Sequence, residues 1–189
     1  MTAPGAMIRR PAAARLAAAG LLAAAVTGAL YAAGRLHPPD YTASLFGQAG
    51  LAAVMLKSLL ASVVAGLAAL QVLLALWLYR KLPLAGRPPR PVRASHRVIG
   101  FAVFALTVPV AVHCLLAYGV QLTSPRVAVH SLAGCFLYGA FAAKVLLVHS
   151  RQLPGWALPA AGGALALTTI VLWYTSALWY YNGYRLPGM

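Results

Sequence analysis

The sequence predicts an all-α integral membrane protein, a bundle of five transmembrane helices, from three observations. Hydrophobic residues make up 62% of the 189 positions, and charged residues make up only 8%. Several apolar runs are longer than about 18 residues, the length at which a helix becomes a candidate for crossing a bilayer. Short stretches rich in proline, glycine or arginine separate these runs. This composition excludes an ordinary soluble globule, and we treat residues 1–189 as a single membrane domain.

The first two predicted spans lie on either side of a proline pair. The first covers about 12–34 and ends before Pro38 and Pro39, because proline lacks the N–H donor and restricts the residue before it. Its basic start also fits a secretory signal, but the apolar run is closer in length to a full span, so we predict that it is retained. The second span covers about 48–79. It is followed by a linker, 82–95, which we predict to be non-helical because it is rich in proline and arginine.

The remaining three spans follow one another closely. The third covers about 96–122 and contains Pro109, a predicted kink. The fourth covers about 126–150 and the fifth about 156–180, with tight turns before each of them. A short aromatic tail closes the chain, and its tryptophans and tyrosines are typical of a belt at a membrane interface.

Arginine and lysine set the predicted orientation. The amino-terminal flank and the linker carry most of them, whereas the opposite flanks carry only Arg35, Arg126 and Arg185. Basic flanks stay in the cytoplasm, so we predict a cytoplasmic amino terminus, a cytoplasmic linker 82–95 and an external carboxyl terminus. The predicted location is a cell membrane, crossed several times, of the bacterial inner-membrane type.

The net charge of +14 does not indicate a nucleic-acid partner. Most of the basic residues lie in short stretches between apolar segments, where they determine topology rather than form a recognition surface. We therefore predict a lipid bilayer as the main partner and no nucleic acid.

Four of the five histidines lie in the third and fourth predicted spans. His96 and His113 are 17 residues apart, and His130 and His149 are 19 residues apart. At about 1.5 Å of rise per residue, each interval carries a histidine from one side of the hydrocarbon core to near the other. His96 and His149 are predicted near the cytoplasmic face, and His113 and His130 near the outer face. The sequence thus permits two sites, an inner pair and an outer pair.

The chemistry of these residues favours haem. A neutral imidazole can ligate iron with one nitrogen and donate the N–H of the other to a carbonyl, which satisfies both polar atoms in a dry environment. Gly100 and Gly134 each follow a histidine by four residues, so they share its helix face and leave room for a porphyrin edge. Haem propionates need cations at the membrane surface. The candidates are Arg93, Arg97 and Arg151 on the inner side and Arg126 on the outer side.

Other interpretations of these residues stay open. A membrane histidine is often only a hydrogen-bonding group between helices, and glycine is common where membrane helices pack. Lys57 and Lys144 can extend toward the interface or bind carbonyls as well as contact a cofactor. Cys114 and Cys135 are compatible with a thiolate and imidazole copper site, but neither belongs to a recurring ligand motif.

The histidine phrases resemble a known family. His130-Ser131-Leu132-Ala133-Gly134 is similar to the His-Ser-x-x-Gly opening of a haem-binding helix in the cytochrome b561 and ferric-reductase-like group of multi-histidine b-type membrane cytochromes, and the segment from His96 to Gly100 looks similar. The resemblance covers about 96–150 and implies a helical bundle with two b haems. In that group the haems are usually held by helices two apart, whereas here all four histidines lie in adjacent spans, so one haem is also compatible. The composition also resembles that of small actinobacterial membrane proteins.

The expected function is transmembrane electron transfer through one or two bis-histidine b haems. We expect His96 and His149 to be the metal ligands at the inner site, and His113 and His130 at the outer site. A quinone or a separate redox protein would exchange electrons with it, since no glycine-rich nucleotide fingerprint is present. The alternative is a non-redox membrane protein, a transporter or an anchoring and assembly subunit, whose histidines only hydrogen-bond between helices. A carboxylate proton relay is excluded because no acidic residue lies in any predicted span.

Overall fold

A computed structural model describes residues 5–82, 86–150 and 153–186. Five long helices make up most of this described part, and no strand occurs in it, so the predicted all-α class is confirmed. The helices are α1 (Gly5–Leu36), α2 (Gly50–Leu78), α3 (Arg90–Tyr118), α4 (Pro125–His149) and α5 (Ala157–Trp173). A π-helical turn, Tyr174–Leu178, continues α5, and a last helical turn, Trp179–Tyr181, follows it.

Each of the five helical segments is long and apolar enough to cross a membrane. The fifth of these segments includes the π-helical turn and extends over Ala157–Tyr181. Many large hydrophobic side chains remain exposed on the outside of the bundle, among them Leu51, Phe101 and Leu167. Lipid covers such side chains in a bilayer, so the chain is a multi-pass membrane protein.

The boundaries of α3 differ from the predicted ones. The helix begins at Arg90, inside the linker predicted to be non-helical, and ends at Tyr118 rather than near 122. Pro91 lies in the first turn, where a missing N–H costs nothing because that donor has no partner within the helix. Gly119 stops the helix with a φ of 65°, a conformation that favours glycine. Pro109, the predicted kink, lies inside α3.

The five helices form a ring whose order is not the order of the chain. α1 packs on α4, α4 on α5, α5 on α2, and α2 on α3. Backbone contacts close the ring where α1 and α3 end, since Val120 N–H donates to Gly34 O at 2.8 Å. Successive helices α3 and α4 also meet, through a stacked pair of Phe104 and Phe141 with ring centres 4.0 Å apart.

The two ends of the bundle carry different connections. We call the end with the loops 37–49 and 119–124 the turn end, and the end where α2 ends, α3 begins, α4 ends and α5 begins the linker end. At the turn end, Asp40 N–H donates to Leu116 O at 3.0 Å, and Ser124 caps α4 by accepting from Val127 N–H. Backbone hydrogen bonds and a cap therefore fix the connections at the turn end.

Candidate functional site

A cavity of about 510 Å³ lies inside the ring, and all five helical segments line it. Its volume falls within the usual range of about 300–1,000 Å³ for small-molecule sites. The lining includes Arg126 at the start of α4 and Tyr138 twelve residues further along. By helical rise, the cavity therefore reaches about 18 Å from the turn end toward the middle of the bundle.

The charged side chains of the cavity lie at the turn end, and its deeper walls are mainly aliphatic. The polar side chains nearest the turn end are Lys57, Tyr118, Gln121, Arg126, His130, Ser131 and Ser176. The deeper walls are mainly aliphatic and include Leu60, Val64, Leu106, Val110 and Leu137. An occupant with a polar head and an apolar body matches this division.

His130 is the predicted ligand that lines this cavity. Its Nδ1 lies 3.0 Å from Thr175 Oγ1 in the π-helical turn. The Thr175 hydroxyl donates its own hydrogen to Val171 O at 2.7 Å, so its oxygen accepts from His130. His130 Nδ1 therefore carries the ring hydrogen, and Nε2 carries the lone pair that could bind a metal.

The π-helical turn explains how Thr175 serves two helices. In an α-helix the Trp179 N–H would donate to Thr175 O, but here it donates to Ser176 O. Thr175 O instead accepts from Arg126 Nη1 at 2.9 Å. Thr175 is fully buried. It binds His130 through its hydroxyl oxygen and Arg126 through its backbone carbonyl oxygen. Local widening of this kind is frequent at functional sites.

Two cations stand at the polar end of the cavity, each against an aromatic ring. The Arg126 guanidinium carbon lies 3.8 Å from the centre of the Trp179 ring. Lys57 Nζ lies 4.4 Å from the centre of the Tyr118 ring and 3.4 Å from its hydroxyl oxygen.

His113 is buried beside this cavity but does not line it. Its Nε2–H donates to Ala43 O in the α1–α2 loop at 3.2 Å, and its Nδ1 is buried with no partner among the described residues. Its ring packs edge-on against Tyr118, which lines the cavity. The two histidines predicted for the outer pair thus lie at the same end of the bundle, with His130 in direct contact with the cavity.

The histidines predicted for the inner pair lie at the linker end, outside the cavity. His149 is exposed, and its Nδ1–H donates to Val145 O of its own helix at 2.8 Å. His96 is half-buried against α2, where Gln71 Nε2 donates to its carbonyl oxygen at 2.7 Å. The His96 Nδ1 atom is buried and has no partner among the residues that are described.

The remaining predicted site residues divide between the two ends. Gly134 lines the cavity, whereas a Cβ on Gly100 would lie 3.6 Å from the Gln71 side chain. Arg97 is exposed and borders a surface depression of about 400 Å³ with Arg90 and Arg93. Arg151 lies outside the described residues.

Cys114 and Cys135 both line the cavity and are free thiols. Over the described ranges, the side chains of His, Cys, Asp and Glu form no group of three that could hold a metal ion. The copper site that remained open from the sequence therefore has no three-ligand arrangement in this part of the chain.

Sequence reasoning missed Thr175 and gave little weight to Lys57. Threonine in an apolar span usually bonds to its own helix, as Thr168 does with Ala164 O. Nothing local distinguishes Thr175 from that pattern, because its role depends on the π-helical turn. Arg126 and Trp179 are far apart in the sequence, and only the ring order of the helices brings them together.

The comparisons with known proteins give a family but no activity. Residues 16–188 match a family of unknown function, DUF6529. No curated protein and no solved structure matches the chain.

Proposed function

The chain belongs to the DUF6529 family, and we propose that it is a b-type membrane cytochrome that transfers electrons across the bilayer. One or two haems held by histidine would carry the electrons, and the contacts favour a site in the cavity at the turn end. Haem, when bound, supplies reversible one-electron chemistry at its iron. A quinone or a separate redox protein in a bacterial inner membrane would exchange electrons with it.

One observation carries the proposal: the lone pair on His130 Nε2 belongs to a cavity-lining imidazole whose other nitrogen is fixed by Thr175. A metal-binding histidine typically donates its second N–H to an oxygen acceptor, which sets the tautomer and orients the ring. His130 has this arrangement before any ligand is added. The cavity volume, the apolar walls and the cation Arg126 also fit a porphyrin with propionate groups.

His113 would be the second histidine to hold the haem in this proposal. Its Nδ1 is buried without a partner among the described residues, which is costly for a polar atom in an apolar interior. Its Nε2–H donates to Ala43 O, which leaves the lone pair on Nδ1, but the residue does not line the cavity, so the ring would have to move to reach a group bound there. His130 is therefore the stronger of the two assignments.

The inner pair has less support. His149 is exposed and His96 lies against Gln71, outside the cavity. We therefore assign the first haem to the outer site, and we retain His96 and His149 only as ligands of a second haem.

The residues around the outer site would control access to the metal. The aliphatic walls formed by Val64, Val110 and Leu137 exclude water, which limits side reactions of a reduced centre. Arg126 and Lys57 keep the polar end electropositive and so favour the reduced, less positive state of a bound metal centre.

Haem content tests the proposal directly. The full-length protein, expressed with a haem precursor and purified in detergent, is expected to give b-type bands in a reduced-minus-oxidised spectrum. His130→Ala should remove the haem of the outer site, whereas the matched variant His149→Ala should retain that haem. A purified protein without haem, although folded by circular dichroism, contradicts the proposal.

The non-redox alternative also has an observation in its favour. His113, His130 and His149 each donate to a protein oxygen, as histidines that only connect or cap helices would. In that case the protein is an anchoring or assembly subunit, and histidine substitutions lower its stability without changing any cofactor content.

A further inference from the structure

The polar end of the cavity holds two positive charges and no negative one. The chain has a single acidic residue, Asp40. Its carboxylate lies in the exposed α1–α2 loop, where it accepts from the backbone N–H and the hydroxyl of Thr42, and these hydrogen bonds lower the pKa of Asp40. Among the described residues, no carboxylate pairs with Lys57 or Arg126.

Such cations are expensive to keep in a membrane protein. Ionisable side chains within membrane spans usually face the interior, have a partner and mark a binding site or pathway. Lys57 lies seven residues inside α2, about 10 Å from its start by helical rise. Aromatic rings partly stabilise both cations through cation–π contacts, but a ring cannot neutralise a full charge.

Both cations retain hydrogen-bond donors for a ligand. A guanidinium group has five N–H donors, and Arg126 uses one of them on Thr175 O. An ammonium group has three, and Lys57 uses one on the Tyr118 hydroxyl. Trp179 and Thr175 fix the plane of the Arg126 guanidinium, which suits two-point binding of a planar carboxylate.

We infer that Lys57 and Arg126 form a receptor for the carboxylate head of an amphiphilic ligand whose apolar body fills the deeper cavity. The deeper walls match such a body, because they are mainly aliphatic, carry no charged side chain, and the hydroxyls of Thr107, Tyr138 and Thr169 among them already donate to protein oxygens. This receptor lies in the same cavity as the proposed haem. It rests on the proposed function in one respect only, that the carboxylate could belong to a haem propionate. A haem propionate and the head of a single-chain fatty acid both present a carboxylate, which is the group that Lys57 and Arg126 would bind.

Tryptophan fluorescence provides a test on the haem-free, full-length protein in lipid nanodiscs. Trp173 and Trp179 line the cavity, so a brominated fatty acid bound there quenches them. The matched probe is its methyl ester, which has the same body but no charge. We expect the acid to bind roughly tenfold to a hundredfold more tightly than the ester, the range for hydrogen bonds to charged groups.

The variants Lys57→Gln and Arg126→Gln should each lower the affinity for the acid by about tenfold or more and leave the ester unchanged. Unchanged ester binding also reports that the variant is folded. Lys57→Arg and Arg126→Lys, which keep the charge, should recover part of the preference. The control is Arg185→Gln, which removes an exposed cation near the same end of the bundle but outside the cavity lining.

A second arm identifies the source of the carboxylate by comparing haem with haem dimethyl ester. A carboxylate preference that depends on Lys57 and Arg126 in either arm supports the receptor, and the arm in which it occurs names the ligand. Fatty-acid preference without haem binding rejects the proposed cytochrome and retains the receptor. Haem binding with no dependence on either cation, and no acid preference in the fluorescence arm, overturns the receptor and leaves the cytochrome in place.

Discussion

The phrase H-x-x-x-G occurs twice in this chain, and its two copies lie in different surroundings. His130 and Gly134 line a cavity that five helical segments enclose. His96 and Gly100 lie at the linker end and do not line that cavity; Gln71 donates to the His96 carbonyl and lies 3.6 Å from where a Cβ on Gly100 would be. An identical spacing thus gives a ligand-accessible imidazole in one helix and a packed one in the other, because the neighbouring helices decide what a motif faces.

The turn end also differs from the linker end in how its helices are joined. Backbone hydrogen bonds connect α1 with α3 through Gly34 and Val120, and the Asp40 N–H binds the last turn of α3. Among the described residues at the linker end, the corresponding hydrogen bonds come from side chains: Gln71 Nε2 donates to His96 O, and Trp77 Nε1 donates to Gly86 O. The two ends therefore differ in kind, because backbone groups join the helices at the turn end and side chains join them at the linker end.

The largest expected effect comes from Gly119→Ala at the turn end. Gly119 has a φ of 65°, and a Cβ there would lie 2.5 Å from Gly34 O. Backbone strain and a forced shift of α1 should together lower the free energy of unfolding by about 2–4 kcal/mol. Unfolding in detergent, followed by circular dichroism, measures the loss.

The matched variant for that experiment is Gly155→Ala at the linker end, where a Cβ would meet no atom within 4 Å. Its stability should change by no more than about 0.5 kcal/mol. Equal losses in the two variants would remove the contrast between the ends.

A smaller effect is expected from Thr175→Val. The substitution keeps the shape of the side chain but removes the oxygen that accepts from His130 Nδ1. A buried imidazole N–H without an acceptor should cost about 1–3 kcal/mol, and the tautomer of His130 should become mixed. Thermal unfolding reports the first change, and nitrogen NMR of labelled histidine reports the second.

Thr168→Val is the control for Thr175→Val, because the Thr168 hydroxyl bonds only to Ala164 O of its own helix. It should be nearly neutral. Thr175→Ser, which restores the oxygen, should recover the single tautomer. A single tautomer in Thr175→Val would mean that another group orients His130.

The smallest effect is expected from Gln71→Leu at the linker end. The variant loses the 2.7 Å hydrogen bond to His96 O. The His96 carbonyl can still accept a backbone N–H within its own helix, so the substitution leaves no buried acceptor without a hydrogen bond. The cost should be about 0.5–1.5 kcal/mol in the same unfolding measurement. A loss larger than that of Thr175→Val would indicate that the linker end is the more cooperative half.

The helices themselves could be predicted from sequence because membrane spans depend on length and hydrophobicity alone. The start of α3 could not, since Pro91 in a basic linker is typical of a loop and equally acceptable in a first helical turn. The spacing of the histidines predicted that they divide between the two ends of the bundle, and they do; which end faces the cytoplasm stays a prediction, and the spacing did not predict which neighbour each ring meets.

The site was harder to predict because it depends on contacts between distant segments. Arg126 was identified as a cation near the outer face, yet its partners, Thr175 and Trp179, follow from the packing of α4 on the π-helical turn. The two proposed pairs of histidines stay a prediction, for which the position of His130 is the best support.

The order of helices around the ring has a consequence for biosynthesis. The main packing partner of α1 is α4, so α1 can pack against it only after α2, α3 and α4 have also been translated. Membrane helices insert individually and associate afterwards, and the ring is complete only when α5 and its terminal π-helical turn arrive to meet α2 and α4. A ligand of the cavity would therefore bind after α5 has packed against α2 and α4, or enter later from the lipid.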